Sequence, residues 1–300
     1  MSSIATGVRA GSGQTYRRLS RFVGGVPRSV VLAGGVLLAL VVVAIAADLL
    51  RPIDETRVDL DSILLAPSGQ HLMGTDEVGR DLLTRVIHGA RVSLTIGFFG
   101  ALLAAAVGGA IGLLAGTLGG RADTALMRVT DAAASQSHFF FVLLIAVLFR
   151  PALGGSGAVM FAVGLTHWPS LARIVRGELL SVRERPFVAA AIGGGAGRAR
   201  LARRHYVPHL LPAIGLAFVL TIPHAIYHEA ALSFLGVGLE PHKASLGNLL
   251  ADSQQALLIG GWWVSLFPGL MLVVAAMTIG TLAEYGRERL HPRWRSELEL

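Results

Sequence analysis

His224 and His228 stand four residues apart in the stretch "TIPHAIYHEAALSF", and Glu229 follows the second of them. Four residues is about one helical turn, so the two imidazoles share a face. Neutral imidazoles at that spacing offer transient ligands or hydrogen bonds to a metal chelate, and the adjacent carboxylate adds negative charge that favours a cation. The same groups can meet the terminal amine or carboxylate of a short peptide. A zinc-protease site is excluded, because its general base is a glutamate directly after the first histidine and Ala225 stands there. "GGSG" at 154–157 fits a G-x-S-G nucleophile signature, yet the apolar block 262–283, a candidate source of its base, contains no histidine. It reads as a turn. With Cys 0, thiolate metal sites and disulfides are excluded. A phosphate-binding loop needs a lysine after its glycines, and the only lysine, Lys243, follows "EPH". No catalytic residue, no resident metal and no cofactor is therefore expected in this chain. His138 in "SQSHFFF" and His167 in "THWPS" either line a polar path or, the stronger reading for each, hydrogen-bond a neighbouring helix.

The elements that must position these groups are membrane helices. The 300 residues are 53% hydrophobic and 15% charged, with a mean hydropathy of +0.62, more apolar than a soluble domain needs. Apolar runs cover 29–47, 92–120, 132–149, 156–172, 210–234 and 262–283, and about 20 apolar residues cross a bilayer as a helix. This predicts an all-α integral membrane protein with about six transmembrane helices, since each isolated span must satisfy its own backbone. Basic residues are retained on the cytoplasmic side. The segments before the first span, between the second and third, around 173–204 and after the last carry most of the arginines, which predicts both termini inside.

In the second span Gly100, Ala104, Gly108, Gly112, Gly116 and Gly120 recur every four residues, which predicts a small-residue stripe packed against another helix. Before it, Thr75 or Asp76 is expected to cap a short interfacial helix, with Leu82, Leu83, Val86 and Ile87 on its apolar side and Arg80, Asp81, Thr84 and Arg85 facing water. On the arginine-rich side, "FVAAAIGGGAGRARLARRHYVPHLLP" at 187–212 predicts a helix, a glycine turn at 193–197 and a second helix lying at the membrane surface. A basic loop resting on anionic lipid would need no glycine cluster, whereas a turn entering a cleft on another protein needs close backbone approach.

That stretch resembles the cytoplasmic EAA loop of ABC importer permeases. Ala190 and Ala191 match its alanine pair, Gly195 its glycine and Pro208 its distal proline, while Ala189 stands where the pattern has glutamate, so that residue's salt bridge is missing. "HLMGTDEVGRDLLTRVIHGARVSL" at 71–94, "AALSFLGVGLE" and "WWVSLFPGL" resemble the dipeptide, oligopeptide and nickel branch, and the likeness runs from the first span to about Pro292. The resemblance implies the type I permease fold, with a basic tail at 1–28, an anchor at 29–49, an extracytoplasmic segment at 50–91, a five-span core at 92–284 holding a coupling loop at 173–209, and a tail at 285–300. Ala189, Ala190, Ala191, Gly195, Ala196, Gly197, Arg200 and Pro208 would then couple to the ATPase; His224, His228 and Glu229 are the candidate pathway lining, and Gly100, Gly108, Gly112 and Gly116 the packing stripe. Implied partners are a second related permease, two ABC ATPase subunits or a heterodimer carrying ATP and Mg, an extracytoplasmic substrate-binding protein and membrane lipid, with no nucleic acid. Implied location is the bacterial or archaeal plasma membrane, and the implied cargo is short peptides or nickel and other metal chelates.

Overall fold

The computed structural model describes residues 26–52 and 58–290; both tails beyond these bounds, with their arginines, lie outside the described residues. The regular structure of the described residues is helical, with a single isolated bridge between Thr75 and Asp81 and a 3-10 turn at Leu60–Ser62. In chain order the helices are α1 (Arg28–Ile45), α2 (Ala47–Leu50), α3 (Leu82–Leu118), α4 (Gly120–Ala134), α5 (His138–Arg183), α6 (Pro186–Gly193), α7 (Arg198–Leu201), α8 (Val207–Phe234), α9 (Leu246–Leu258) and α10 (Trp263–Leu290). A π-helical turn, Ala202–Tyr206, joins α7 to α8.

Among the described residues, five helices are long and apolar enough to cross a membrane. One of them, α5, has 46 residues, about 69 Å of helix, more than twice the roughly 30 Å of a bilayer core. It breaks at Gly154, whose φ of 69° and ψ of 173° leave the helical region, giving limbs 138–153 and 155–183. Counted as limbs, the spans number six. The turn is held from outside: Gly155 N–H donates to Glu240 Oε1 at 3.2 Å, and a Cβ on Gly155 would lie 2.9 Å from Gly238 O. "GGSG" is this helix break.

The long limb of α5 lies along α3, and the glycines of the stripe form the contact. A Cβ on Gly108 would sit 2.7 Å from Trp168 O, on Gly112 2.6 Å from Ala172 O, and on Gly116 2.5 Å from Leu179; Gly100 faces Val163 at 3.1 Å. From the other side, Leu103 fills the space left by Gly164. Backbones approach this closely only where both partners alternate small and large residues. Gly120 is not in the stripe, because α3 ends at Leu118 and Gly119 and Gly120 both turn with positive φ. α8 packs on α3 and α5, α10 on α8 and α9, and α1 on α10.

Two expectations about segment boundaries change. Residues 82–91 are not a separate interfacial helix but the first turns of α3, started by Asp81 rather than by Thr75 or Asp76: Asp81 Oδ1 accepts from Thr84 N–H at 2.9 Å. Arg85 does not face water. It is 2% exposed and donates to Asp76 Oδ2 at 2.8 Å, which Arg80 Nε also reaches at 2.7 Å. The buried carboxylate pairs through Arg85 Nη1 with a guanidinium that the helical pattern alone places on the polar side. At the other end of the bundle, 173–183 belongs to the spanning helix rather than to the loop. Its arginines are held there by Asp131 for Arg173, Asp123 for Arg176 and Gly116 O for Arg183.

Candidate functional site

The segment between α5 and α8 has the shape of a protruding hairpin of short helices. Pro186 opens α6 with its fixed φ, at a position where a missing N–H costs nothing. Gly194–Gly197 then turns the chain, and the turn requires glycine at Gly195, whose φ is +76°. Val188, Leu201 and Tyr206 anchor the hairpin in an apolar cluster with Val175, Leu179, Val182 and Leu210 of the spanning helices. What faces outward is Phe187, Ala189, Ala190, Ile192 and the arginines Arg198, Arg200, Arg203 and Arg204. Ala191 and Ala196 are partly covered, Gly197 caps α7, and Pro208 lies in the first turn of α8. Among the described residues nothing lies within 4 Å of a Cβ built on Gly195. An exposed apolar ridge with a bare backbone turn, rooted in the span that carries Arg176 and Arg183, can transmit a push from outside to α5 and α8 as one body.

Within the spans, His228 does not stay with Glu229. Successive helical residues point about 100° apart. Glu229 turns into the protein, fully buried, where Oε2 accepts from Ser93 Oγ at 2.6 Å and Oε1 from Ser233 Oγ at 3.0 Å. It ties α8 to α3 and lines no open surface. His228 turns instead toward His138 and His167. The ring centroids lie 4.9 Å apart for His138 and His228, 5.2 Å for His167 and His228, and 4.4 Å for His138 and His167. His138 Nε2 is 3.3 Å from His167 Nε2. His224, one turn before His228, comes within 6.4 Å of the His167 ring and is exposed, as is His138. The first limb of α5, its second limb and α8 therefore contribute imidazoles to one spot. His167 lies about 18 Å along its limb from Gly155, and His228 about 9 Å from the end of α8, well inside the spans. Sequence separations of 29 and 61 residues carry no signal that these groups meet.

At the end of the bundle away from the hairpin, residues 59–81 and α9 form a polar cap. His71 Nδ1 lies 3.0 Å from Asp81 Oδ2 and Trp263 Nε1 donates to Thr75 O at 3.1 Å. Burial pushes the Asp81 carboxyl upward, but the hydrogen bonds from His71 and Thr84 and the charge of Arg51 outweigh it and hold it below its ordinary value. Glu240 is lowered to about 2, chiefly by its own backbone N–H against an opposing push from burial, with Gly155 N–H and Lys243 adding to the lowering. The cap is a structural clasp, not a catalytic site.

A bundle of six apolar spans, with an exposed coupling-type hairpin at one end and a polar patch inside, defines a multi-pass membrane transport subunit. The chain belongs to the family described as the binding-protein-dependent transport system inner membrane component, whose model matches residues 108–296. It is similar to the dipeptide transport system permease protein DppC of Bacillus subtilis (strain 168), with 35% identity over 260 residues, 87% of this chain and 80% of that protein. A provisionally named peptide transport system permease protein of Brucella abortus biovar 1 (strain 9-941) is 37% identical over 265 residues, 87% of this chain and 88% of that one. In fold it is similar to a chain of the inward-facing MetNI methionine ABC transporter, with a TM-score of 0.58 and 16% identity over 70% of this chain and 97% of that one. The chain is thus a permease of the peptide ABC importer family, a subunit of an ATP-driven importer in the inner membrane, and not itself an enzyme; the ATPase resides on separate subunits.

Proposed function

We propose that this chain forms half of a translocation pathway for short peptides or metal chelates, completed by a second, related permease. The hairpin 186–206 docks into a groove on one of two ABC ATPase subunits, which bind ATP and Mg. A substrate-binding protein delivers cargo to the opposite, polar-capped end. Both termini lie with the hairpin on the cytoplasmic side, in keeping with the arginines of α5 to α8. The relatives' names favour peptide cargo, and the imidazoles of the spans suit cargo that carries a metal.

One observation carries the coupling reading: Gly195 turns with φ +76° on an exposed apolar ridge, with open space where a side chain would stand. Lipid headgroups make no demand of that kind, whereas a protein groove that receives bare backbone does. The chain's lack of cysteine makes a direct test simple. In the assembled importer, Ala190→Cys should form a cross-link to a cysteine in the groove of the ATPase subunit, and Ser62→Cys in the polar cap should not. A hairpin that cross-links only to lipid-borne reagents would overturn the docking.

A further inference from the structure

We propose that His138, His167 and His228 form a transition-metal site within the membrane, taking a late first-row divalent cation of the Co2+, Ni2+ or Zn2+ type as passing cargo. That the ion is cargo rests on the importer reading above; the site itself rests on geometry alone. One ligand atom from each of the three lies within 4.8 Å of the others.

The tautomer of the central ring is set by its backbone. His167 Nδ1 lies 3.0 Å from Val163 O, and a carbonyl oxygen only accepts, so Nδ1 carries the proton and Nε2 keeps its lone pair. That arrangement, one ring nitrogen donating to a carbonyl while the other is free, is the usual support for a metal-ligating histidine. The free Nε2 faces His138 Nε2 at 3.3 Å. Two imidazole nitrogens on one tetrahedral ion at 2.0–2.1 Å are about 3.3–3.4 Å apart, so the pair needs little adjustment to share an ion. A hydrogen bond between these two rings would account for their approach, but it leaves His228 unexplained. His228 comes from a third helical segment, with the Phe139 ring stacked at 6.3 Å.

The donor set selects the ion. Nitrogen ligands without a carboxylate suit borderline late transition metals and not Mg2+ or Ca2+, which demand oxygen. The neighbouring carboxylate is withdrawn, since Glu229 is turned inward on Ser93 and Ser233. Three neutral ligands leave the ion's charge uncompensated and coordination positions open to water or to a chelating cargo, and exposed His138 and His224 give it a way in and out. Such a site binds weakly enough to release, as a pathway requires.

The test titrates the full importer, in phosphatidylethanolamine–phosphatidylglycerol nanodiscs, with Co2+ alone, reading visible d–d absorption. One saturable ion per copy of this chain is expected, with the intense bands of four- or five-coordinate nitrogen ligation. His138→Gln and His228→Gln should each weaken binding at least tenfold, while His242→Gln in the exposed loop after α8 should not. Thermal melting without metal separates misfolding from ligand loss, and His228→Gln repeats the test should His138→Gln misfold. Repeating the titration with Co2+ presaturated with diglycine distinguishes the sources: bands with the free ion assign an aquo-ion cargo, and bands only with the chelate assign an ion carried by its ligand. No saturable bands in either arm, or affinity unchanged in both histidine variants, overturns the site. Because binding is read without ATP or uptake, a failure here leaves the importer reading intact, and a coupling failure in a Gly195 variant leaves the site intact.

Discussion

Arg176 grips Asp123 at two points, Nε to Oδ1 at 2.5 Å and Nη2 to Oδ2 at 2.6 Å, and so fastens the amphipathic helix α4 to the hairpin end of α5. The planar guanidinium matches both carboxylate oxygens, a geometry lysine cannot reproduce. Hydrogen bonding from Arg176 first, and its charge as well, hold Asp123 below its ordinary value against a smaller push from burial. Asp123→Asn should cost about 1–2 kcal/mol, read as a lower melting temperature of the detergent-solubilised importer. The sign of the pH effect follows from the lowered value. The pair's contribution is fully present above the unfolded carboxyl's range and is lost as pH falls through the folded value beneath it. The variant should therefore flatten the acid limb of a melting-temperature profile and change nothing between neutral and mildly alkaline pH.

The close approach of α3 and α5 makes Gly112 and Gly109 a matched pair of tests on one helix. A Cβ on Gly112 would lie 2.6 Å from Ala172 O, whereas on Gly109 the nearest atom is the flexible end of Ile214 at 3.5 Å. Gly112→Leu should destabilise the complex by about 1–3 kcal/mol through overpacking, and Gly109→Ala should be neutral or slightly stabilising through better helix propensity. Equal melting temperatures for the two variants would contradict the packing.

In the polar cap, Asp76 and Asp252 meet the same arginine in different surroundings. Asp76 is 1% exposed and serves both Arg80 and Arg85, while Asp252, with a side chain 34% exposed, reaches Arg85 at 3.2 Å. Removing one partner of a buried pair strands a charge, so Asp76→Ala should cost about 3–5 kcal/mol. Asp252→Ala should cost about 1 kcal/mol or less, because water replaces it. Chemical unfolding of the two variants side by side measures the difference.

How far the sequence discloses this molecule depends on whether a feature is local. The spans follow from apolar length, the α3 stripe from a four-residue period, and the hairpin from Pro186, the glycines and the arginines between them, all within one window of chain. In sequence the long helix α5 reads as two separate runs because Arg150, Pro151 and the glycines interrupt it, and the break at Gly154 falls inside that interruption. The helical pattern turns Arg85 toward water because helical position fixes a direction but not what lies there; Asp76 answers it from a turn nine residues away. Glu229 and His228, adjacent in sequence, separate for the same reason, since their partners Ser93 and His138 belong to different helices. The histidine cluster is least legible: taken singly, His138 and His167 read most simply as helix-to-helix hydrogen-bonding groups, and only the folding of α5 back on itself brings them to α8.

The hairpin's role is decided most sharply at Gly195, where three substitutions separate backbone strain from bulk. Its φ of +76° disfavours any side chain except asparagine, which tolerates the left-handed region. Gly195→Asn adds modest bulk with little strain, Gly195→Ala adds about 1–2 kcal/mol of strain and almost no bulk, and Gly195→Trp adds both. Among the described residues nothing lies within 4 Å of the new Cβ, so bulk there matters to a partner. If the turn enters a groove on the ATPase subunit, cargo uptake should fall with bulk, least in the alanine variant and further in the asparagine variant. The tryptophan variant, inserted and expressed as well as the parent, should lose uptake and retain less ATPase through purification. Equal losses in alanine and tryptophan would assign the effect to the turn's backbone. Normal uptake and normal ATPase retention in the tryptophan variant would show that the hairpin does not dock at this point.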